Sequence, residues 1–332
     1  MIERKTKISF FRCRSRTGSY SRNRRGWLTG MVLLLWAVFS GPAAACASEA
    51  SGRMGISLEN AGLFSWSAET VNQTDRELFS IMKDQELNVL YQNFSSKNSR
   101  QEQMSLFAEK AMEAGITIYR LTGHPSWALD SEGERLCEEV EETAAYNRRI
   151  QRKFLERRRG DGEEWAQIPC LEGIVFDVEP YTLDEWDEDP DRVMETFVSG
   201  MKKAYALARS HELEMIVCIP WFYDKKGQGE GLEELIRNGC DRIAVMNYYR
   251  GAEIKNIATE VELASEYGKE LINIYELKKA DGSSVEEINT YYNSGLTALR
   301  KSYAGVKEAY PGRNISIAYH DYRALKEVLH IE

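Results

Sequence analysis

Two acids two residues apart close an apolar run in the segment Leu171-Glu172-Gly173-Ile174-Val175-Phe176-Asp177-Val178-Glu179-Pro180-Tyr181. The run has the length of a buried strand, where side chains alternate between faces. Val175, Asp177 and Glu179 then share one face, and Ile174, Phe176 and Val178 the other. Two carboxylates side by side at the end of a buried strand cost free energy. Such pairs persist where one acid must hold a proton and a neighbour sets its pKa. The matching chemistry is general acid catalysis, in which a carboxyl with a raised pKa protonates a leaving oxygen. Glu179 is the expected donor and Asp177 its partner.

These residues need a frame. Apolar β-rich runs at Leu63–Ser67, Leu87–Asn93, Ile116–Leu121, Gly173–Glu179, Met215–Trp221, Arg242–Tyr248, Leu271–Glu276 and Ile315–His320 read as strands. Helical periodicity fills the gaps at 72–85, 99–114, 132–157, 190–210, 230–238, 256–267 and 284–308. Gly115, Gly239 and Gly268 stand just past helix ends, where a left-handed cap is wanted. Eight strands with a helix in every gap predict an α/β fold, a closed (β/α)8 TIM barrel rather than an open doubly wound sheet. No G-x-G-x-x-G and no P-loop supports a nucleotide site. The span 123–170 exceeds one crossover and predicts an insertion with an extra helix and a charged loop at 157–164.

In such a barrel the C-terminal strand ends build the active site. In order they offer Trp66; Asn93; Arg120, Thr122 and His124; Asp177 and Glu179; Trp221 and Tyr223; Asn247, Tyr248 and Tyr249; Glu276; and Tyr319, His320 and Asp321. Carboxylates among aromatic rings suit a sugar, because rings stack on pyranose faces while an acid protonates the glycosidic oxygen. Trp66, Asn93, Arg120, Trp221, Asn247, Tyr319 and His320 are the candidate binding residues. Ser316 and Ala318 leave room beneath His320. Trp186 is a candidate rim contact, and His124 reads as a loop residue.

Glu276 opens a second route as a nucleophile opposite Glu179. Carboxyls about 5–5.5 Å apart would retain configuration, and about 6.5–9.5 Å would invert it. Strand parity then sends Ile272 and Ile274 inward and Asn273 against the helices. Asp177, Glu179, Glu276 and His320 would also make an oxygen-rich cation set, but no ligand spacing supports a metal, and no cofactor is expected.

The fourth-strand segment resembles the signature of glycoside hydrolase family 18, in which aspartates alternate along a strand and a glutamate follows the last by two. Asp177 matches the final aspartate and Glu179 the proton-donating glutamate. Met246-Asn247-Tyr248 resembles that family's sixth-strand motif, whose tyrosine positions a substrate acetamido group. The resemblance implies a (β/α)8 barrel, a carbohydrate ligand and a catalytic set of Glu179, Asp177 and Tyr248. Closer still are secreted glycosidase-like barrels sharing a fourth-strand Asp-x-Glu-Pro, a seventh-strand Glu and an eighth-strand His. Glu172 and Val175 stand where the family 18 motif has its earlier aspartates. Two readings follow: an exported glycoside hydrolase, or a catalytically silent carbohydrate-binding barrel.

The chain of 332 residues carries a net charge of −9, unevenly spread. Residues 1–47 hold nine Lys/Arg and one acid; the remainder holds 34 against 51, a net −17. So acidic a body is a poor partner for nucleic acid or an anionic membrane. The basic start precedes an apolar run, Trp27–Phe39, and then small residues. Segment 1–47 therefore reads as a signal peptide or an uncleaved signal anchor, ahead of a single barrel domain over 48–332. The expected location is secreted or extracytoplasmic, with membrane contact only through an uncleaved leader. Export permits disulfides, and Cys137 and Cys170 flank one excursion and could pair. Oligomeric state leaves no mark on the sequence.

Overall fold

The computed structural model describes residues 60–72, 76–94, 101–158 and 167–330. The leader, 1–47, lies outside them, as does most of the charged loop at 157–164. Eight parallel strands close into a barrel in chain order: β1 (Gly62–Ser65), β2 (Val89–Asn93), β3 (Thr117–Thr122), β4 (Gly173–Phe176), β5 (Glu214–Pro220), β6 (Arg242–Met246), β7 (Glu270–Glu276) and β8 (Ile315–His320). This is the (β/α)8 TIM barrel that the strand count predicts. Each gap carries a helix on the outside.

Strand alternation makes two cores. Phe64, Tyr91, Tyr119, Leu121, Val175, Ile216, Cys218, Met246, Ile272, Ile274 and Ala318 fill the barrel interior. Leu63, Leu90, Ile118, Ile174, Phe176, Val217, Ile243, Val245, Leu271 and Ile317 meet the helical layer. The N-terminal end of the barrel is shut by polar groups. Glu214 accepts from Tyr119 Oη at 2.7 Å and Arg242 at 2.8 Å, while Glu270 accepts from Ser316 at 2.6 Å.

Four local expectations change. The helix before β8 is Gly295–Ala309, not 284–308. The Asp281 carboxylate accepts backbone N–H bonds from Ser283, Ser284 and Val285, and Thr290 bridges to Glu276, so residues 281–290 fold as a loop against the end of β7. The span between β3 and β4 carries one long helix, Glu134–Arg157, after a 3-10 turn at Pro125–Leu129, and no second α-helix among the described residues. Gly115 and Gly268 adopt the left-handed cap at φ +72° and +65°, but Gly239 does not. A Cβ on Gly239 would lie 2.9 Å from the Leu235 carbonyl, so that glycine answers to space rather than to φ. Cys137, Cys218 and Cys240 are free thiols, so Cys137 does not pair with Cys170.

One buried acid lies away from the mouth. Glu260, in helix Ala258–Glu266, is fully buried with both carboxyl oxygens unpartnered. Burial pushes its pKa up from 4.5 to about 8, with the nearby Asp224 adding and Lys225 opposing. The folded chain therefore binds more protons than the unfolded one between those values, and stability falls as pH rises through that window. Glu260→Met is expected to raise stability at pH 8 by about 1–3 kcal/mol. Urea melts of both proteins at pH 5 and pH 8 check this; an equal gain at both values would contradict it.

Candidate active site

The mouth is organised by β4. Its last hydrogen bond runs from the Asp177 N–H to the Thr122 carbonyl at 2.9 Å, tying the ends of β3 and β4 together. Gly123 packs there so closely that a Cβ would lie 1.8 Å from the Asp177 carbonyl oxygen. Asp177 continues the inward face of Val175, one residue beyond the last β4–β5 register pair, Phe176 with Val217. Its Oδ1 is shut from solvent and has no hydrogen-bond partner. Burial first, and then repulsion from Glu179, pushes its pKa from 3.8 to about 7, against the pull of His320.

Glu179 leaves the strand. Its backbone is left-handed, with φ and ψ both at 55°, and Pro180 begins a 3-10 turn through Thr182. A non-glycine residue in that region is strained by about 1–2 kcal/mol. The turn brings Tyr181 back onto Glu179, whose Oε1 accepts the phenol hydrogen. Burial and the Glu179 charge hold the Tyr181 phenol far above its usual range, so it donates and stays protonated. Tyr223 packs edge-on against Tyr181, is fully buried, and has an unpartnered hydroxyl. Burial, and then Glu179 and Asp177, raise its pKa well above the ordinary phenol value.

The opposite wall comes from β7, β8 and β1. Register sets Glu276 beside His320, and His320 Nδ1 lies 3.0 Å from Glu276 Oε2. Glu276 Oε1 accepts backbone N–H bonds from Leu277 and Lys278 at 2.9 and 2.8 Å. Glu276 faces inward together with Ile272 and Ile274, as parity requires. Asn273 accordingly faces out, where its Oδ1 accepts from Asn247 at 2.9 Å. Trp66 and Tyr248 pack against the same interior cluster.

The predicted residues separate into two sets. Asp177, Glu179, Glu276, Tyr248, Trp66 and His320 converge on the mouth. Arg120, Asn247 and Tyr319 do not, because their strand neighbours Tyr119, Met246 and Ala318 take the inward positions. Arg120 is buried in the helical layer, paired with Glu139 and with Glu142 at 2.6 Å, and bonded to Thr143 at 3.2 Å. Asn247 is held among Asn273, Asn256 and the Glu253 carbonyl. Tyr319 accepts from Arg300 at 3.2 Å. Asn93 spends its amide on the Leu121 carbonyl at 3.1 Å. Trp221 stands at the rim beside exposed Tyr249, with the Lys225 ammonium 5.3 Å from its ring. Trp186 is buried and stacked on Tyr223 rather than exposed, and His124 caps the turn at Ser126. Neither Tyr181 nor Gly123 stands out in the sequence as a site residue. The Pro180 turn after Glu179 was the available signal for the first; the second follows only from the approach of β4.

Among the described residues, no cluster of three or more His, Cys, Asp or Glu side chains is placed to hold a metal ion, and no helix is long and apolar enough to cross a membrane. A groove of about 1040 Å³ lies on the helical layer between Pro190–Ser210 and Gly229–Asn238, apart from these acids. The Lys202–Glu234 ion pair lines it.

The raised pKa of Asp177 has a stability consequence. The folded state holds this proton up to about pH 7 and the unfolded chain only to about 3.8, so stability falls as pH rises between them. Asp177→Asn is expected to flatten that fall and gain about 1–2 kcal/mol at pH 8. Thermal melts across pH 4–8 test this, and a variant whose profile parallels the parent's would sink it.

No family model matches the chain, and no curated protein matches it. Solved structures similar in fold include a family 18 chitinase from Pseudoalteromonas aurantia, 10% identical, with a TM-score of 0.46 over 82% of this chain and 100% of that one. A putative alpha-L-fucosidase from Bacteroides thetaiotaomicron is 11% identical, with a TM-score of 0.48 over 88% and 100%. A class V chitinase mutant from Cycas revoluta, solved with (GlcNAc)3, is 11% identical, with a TM-score of 0.43 over 82% and 98%.

Proposed function

We propose that the chain is an exported glycoside hydrolase-like enzyme acting on an oligo- or polysaccharide, with Glu179 as general acid and Asp177 as its partner. The observation that carries this reading is the pair itself. A carboxyl at the mouth, with one oxygen shut from solvent and unpartnered, stands two residues from a glutamate with a strained backbone, with aromatic rings on either side. Asp177 stores a proton near neutral pH because burial and its neighbour oppose its ionisation. Glu179 stands at the lip, with Tyr181 engaging one oxygen and the other left for the glycosidic oxygen. The proton held by the pair passes through Glu179 to the leaving oxygen as the glycosidic C1–O bond breaks, a water oxygen forms the new bond to C1, and the proton that water sheds returns to the Asp177–Glu179 pair.

Trp66 and Tyr248 supply ring faces for the sugar, and polar contacts at the rim set its register. The test is product release from a panel of defined oligosaccharides, followed by mass spectrometry, beside a glycan array on the same protein. Products from at least one glycan are expected. Binding to the array with no product from any bound glycan would reassign the chain to the silent carbohydrate-binding reading.

A further inference from the structure

Three strand ends, those of β7, β8 and β1, form a chain of hydrogen bonds through His320 that the acid pair does not use. The Trp66 indole N–H donates to His320 Nε2 at 3.2 Å. An indole N–H only donates, so Nε2 must present a lone pair. The imidazole proton therefore sits on Nδ1 and is given to Glu276 Oε2 at 3.0 Å. The Leu277 and Lys278 amides fix the other oxygen of Glu276, so this carboxylate cannot turn away. Strand register builds the chain: Glu276 pairs with His320 across β7–β8, and β8 closes onto β1 just before Trp66. Small Ser316 and Ala318 lie beneath the imidazole on its own face, and Phe64 and Tyr248 flank it with ring centroids at 5.9 and 6.0 Å.

We propose that Glu276 and His320 are positioning residues that lock the Trp66 ring as a sugar-stacking wall, and that the lock holds only while His320 is neutral. In the imidazolium both ring nitrogens donate. Nε2–H would then face the indole N–H, donor against donor, and the Trp66 bond must break. The groups that face His320 are Glu276 from β7, Asp177 beyond β4, Tyr248 beyond β6, its neighbour Asp321, and Trp66 with Phe64 from β1. Burial opposes the imidazolium, while the bond to Glu276 and the charges of Glu276, Asp321 and Asp177 favour it, and together these raise the pKa above the usual 6.5. Release of Trp66 is thus expected on acidification, as His320 takes up its proton.

This inference rests on the carbohydrate reading only for what the ring touches; the hydrogen-bond chain stands apart from it. Three variants of the full chain separate the parts. Glutamine at the histidine position, His320→Gln, can accept from Trp66 and donate to Glu276 without titrating. His320→Phe removes both bonds. Trp66→Phe identifies the Trp66 indole resonance among seven tryptophans. Nitrogen-15 NMR from pH 5 to pH 9 is expected to show His320 in the Nδ1–H tautomer at high pH and a Trp66 indole signal that titrates with it. The signal should stay fixed in His320→Gln. A wild-type indole signal that does not move, or one that titrates equally in His320→Gln, overturns the lock.

Binding of N-acetylchitotetraose and cellotetraose, measured by calorimetry, is the second arm. A stacking wall is worth about a 2- to 10-fold change in affinity. Affinity for the better ligand should fall by that factor between pH 8 and pH 5 in wild type, hold in His320→Gln, and be low throughout in His320→Phe. If the indole signal titrates but affinity for the bound saccharide is equal at both pH values, the sugar-wall assignment is overturned while the acid pair stands. If neither saccharide binds any variant at any pH, the wall assignment and the carbohydrate reading are overturned together, with the lock intact.

Discussion

Glu179→Gln is expected to lower turnover of any glycan the wild type cleaves by about 10²–10⁴-fold, with little change in KM. Glutamine preserves the size of the side chain and can accept from Tyr181, but it cannot give up a proton to a leaving oxygen. The same substitution removes the charge that disfavours ionisation of Asp177, so the Asp177 carboxyl should titrate lower in the variant than its parent value of about 7. Two readouts, initial rates and the pH dependence of stability, therefore move for one stated reason. Glu179→Gly adds a separate check. It relieves a left-handed φ of 55° and should unfold no earlier than the parent while being just as inactive. Unchanged turnover in Glu179→Gln on a verified substrate would end the proposed role.

Gly123→Ala is expected to cost at least about 3 kcal/mol, at the upper end of overpacking effects. The added methyl would lie 1.8 Å from the Asp177 carbonyl oxygen, 2.4 Å from its carbon and 2.9 Å from its nitrogen. All three are backbone atoms, which cannot swing aside as a side chain can. The strand ends must part, and the Asp177 N–H bond to Thr122 goes with them. Activity should fall with stability, because the carboxyl moves away from Glu179. Guanidinium melts settle the point: a shift below about 1 kcal/mol would mean that β3 and β4 are not pressed together there. Gly115→Ala serves as a comparison, since a Cβ at that site meets nothing within 4 Å and only the left-handed φ of +72° resists it.

The acids were legible because they break a pattern. Six apolar or small positions in the 171–178 run make Asp177 stand out, and Glu179-Pro180 marks the end of the strand. The aromatic ring was only partly legible. Tyr319 and His320, or Asn247 and Tyr248, are neighbours in sequence, so alternation forbids both members of a pair from lining the mouth. The sequence could have excluded one of each; it offered no local sign of which. Arg120 gave a further clue, since Glu139 and Glu142 recur at helical spacing in the next element and are its partners in the structure.

What the residues alone determined was periodic: eight strands, the helices between them, and the shared face of Val175 with Asp177 and of Ile272, Ile274 and Glu276. Those follow from covalent geometry, which fixes the alternation of side chains wherever a strand forms. Which face turned inward was decided by ring closure, which set Tyr119, Met246 and Ala318 inside and sent Arg120, Asn247 and Tyr319 to the helices. Register did the rest. Glu276, His320 and Trp66 are separated by up to 254 positions in the chain, and only the closing of β8 onto β1 brings them into one line of hydrogen bonds.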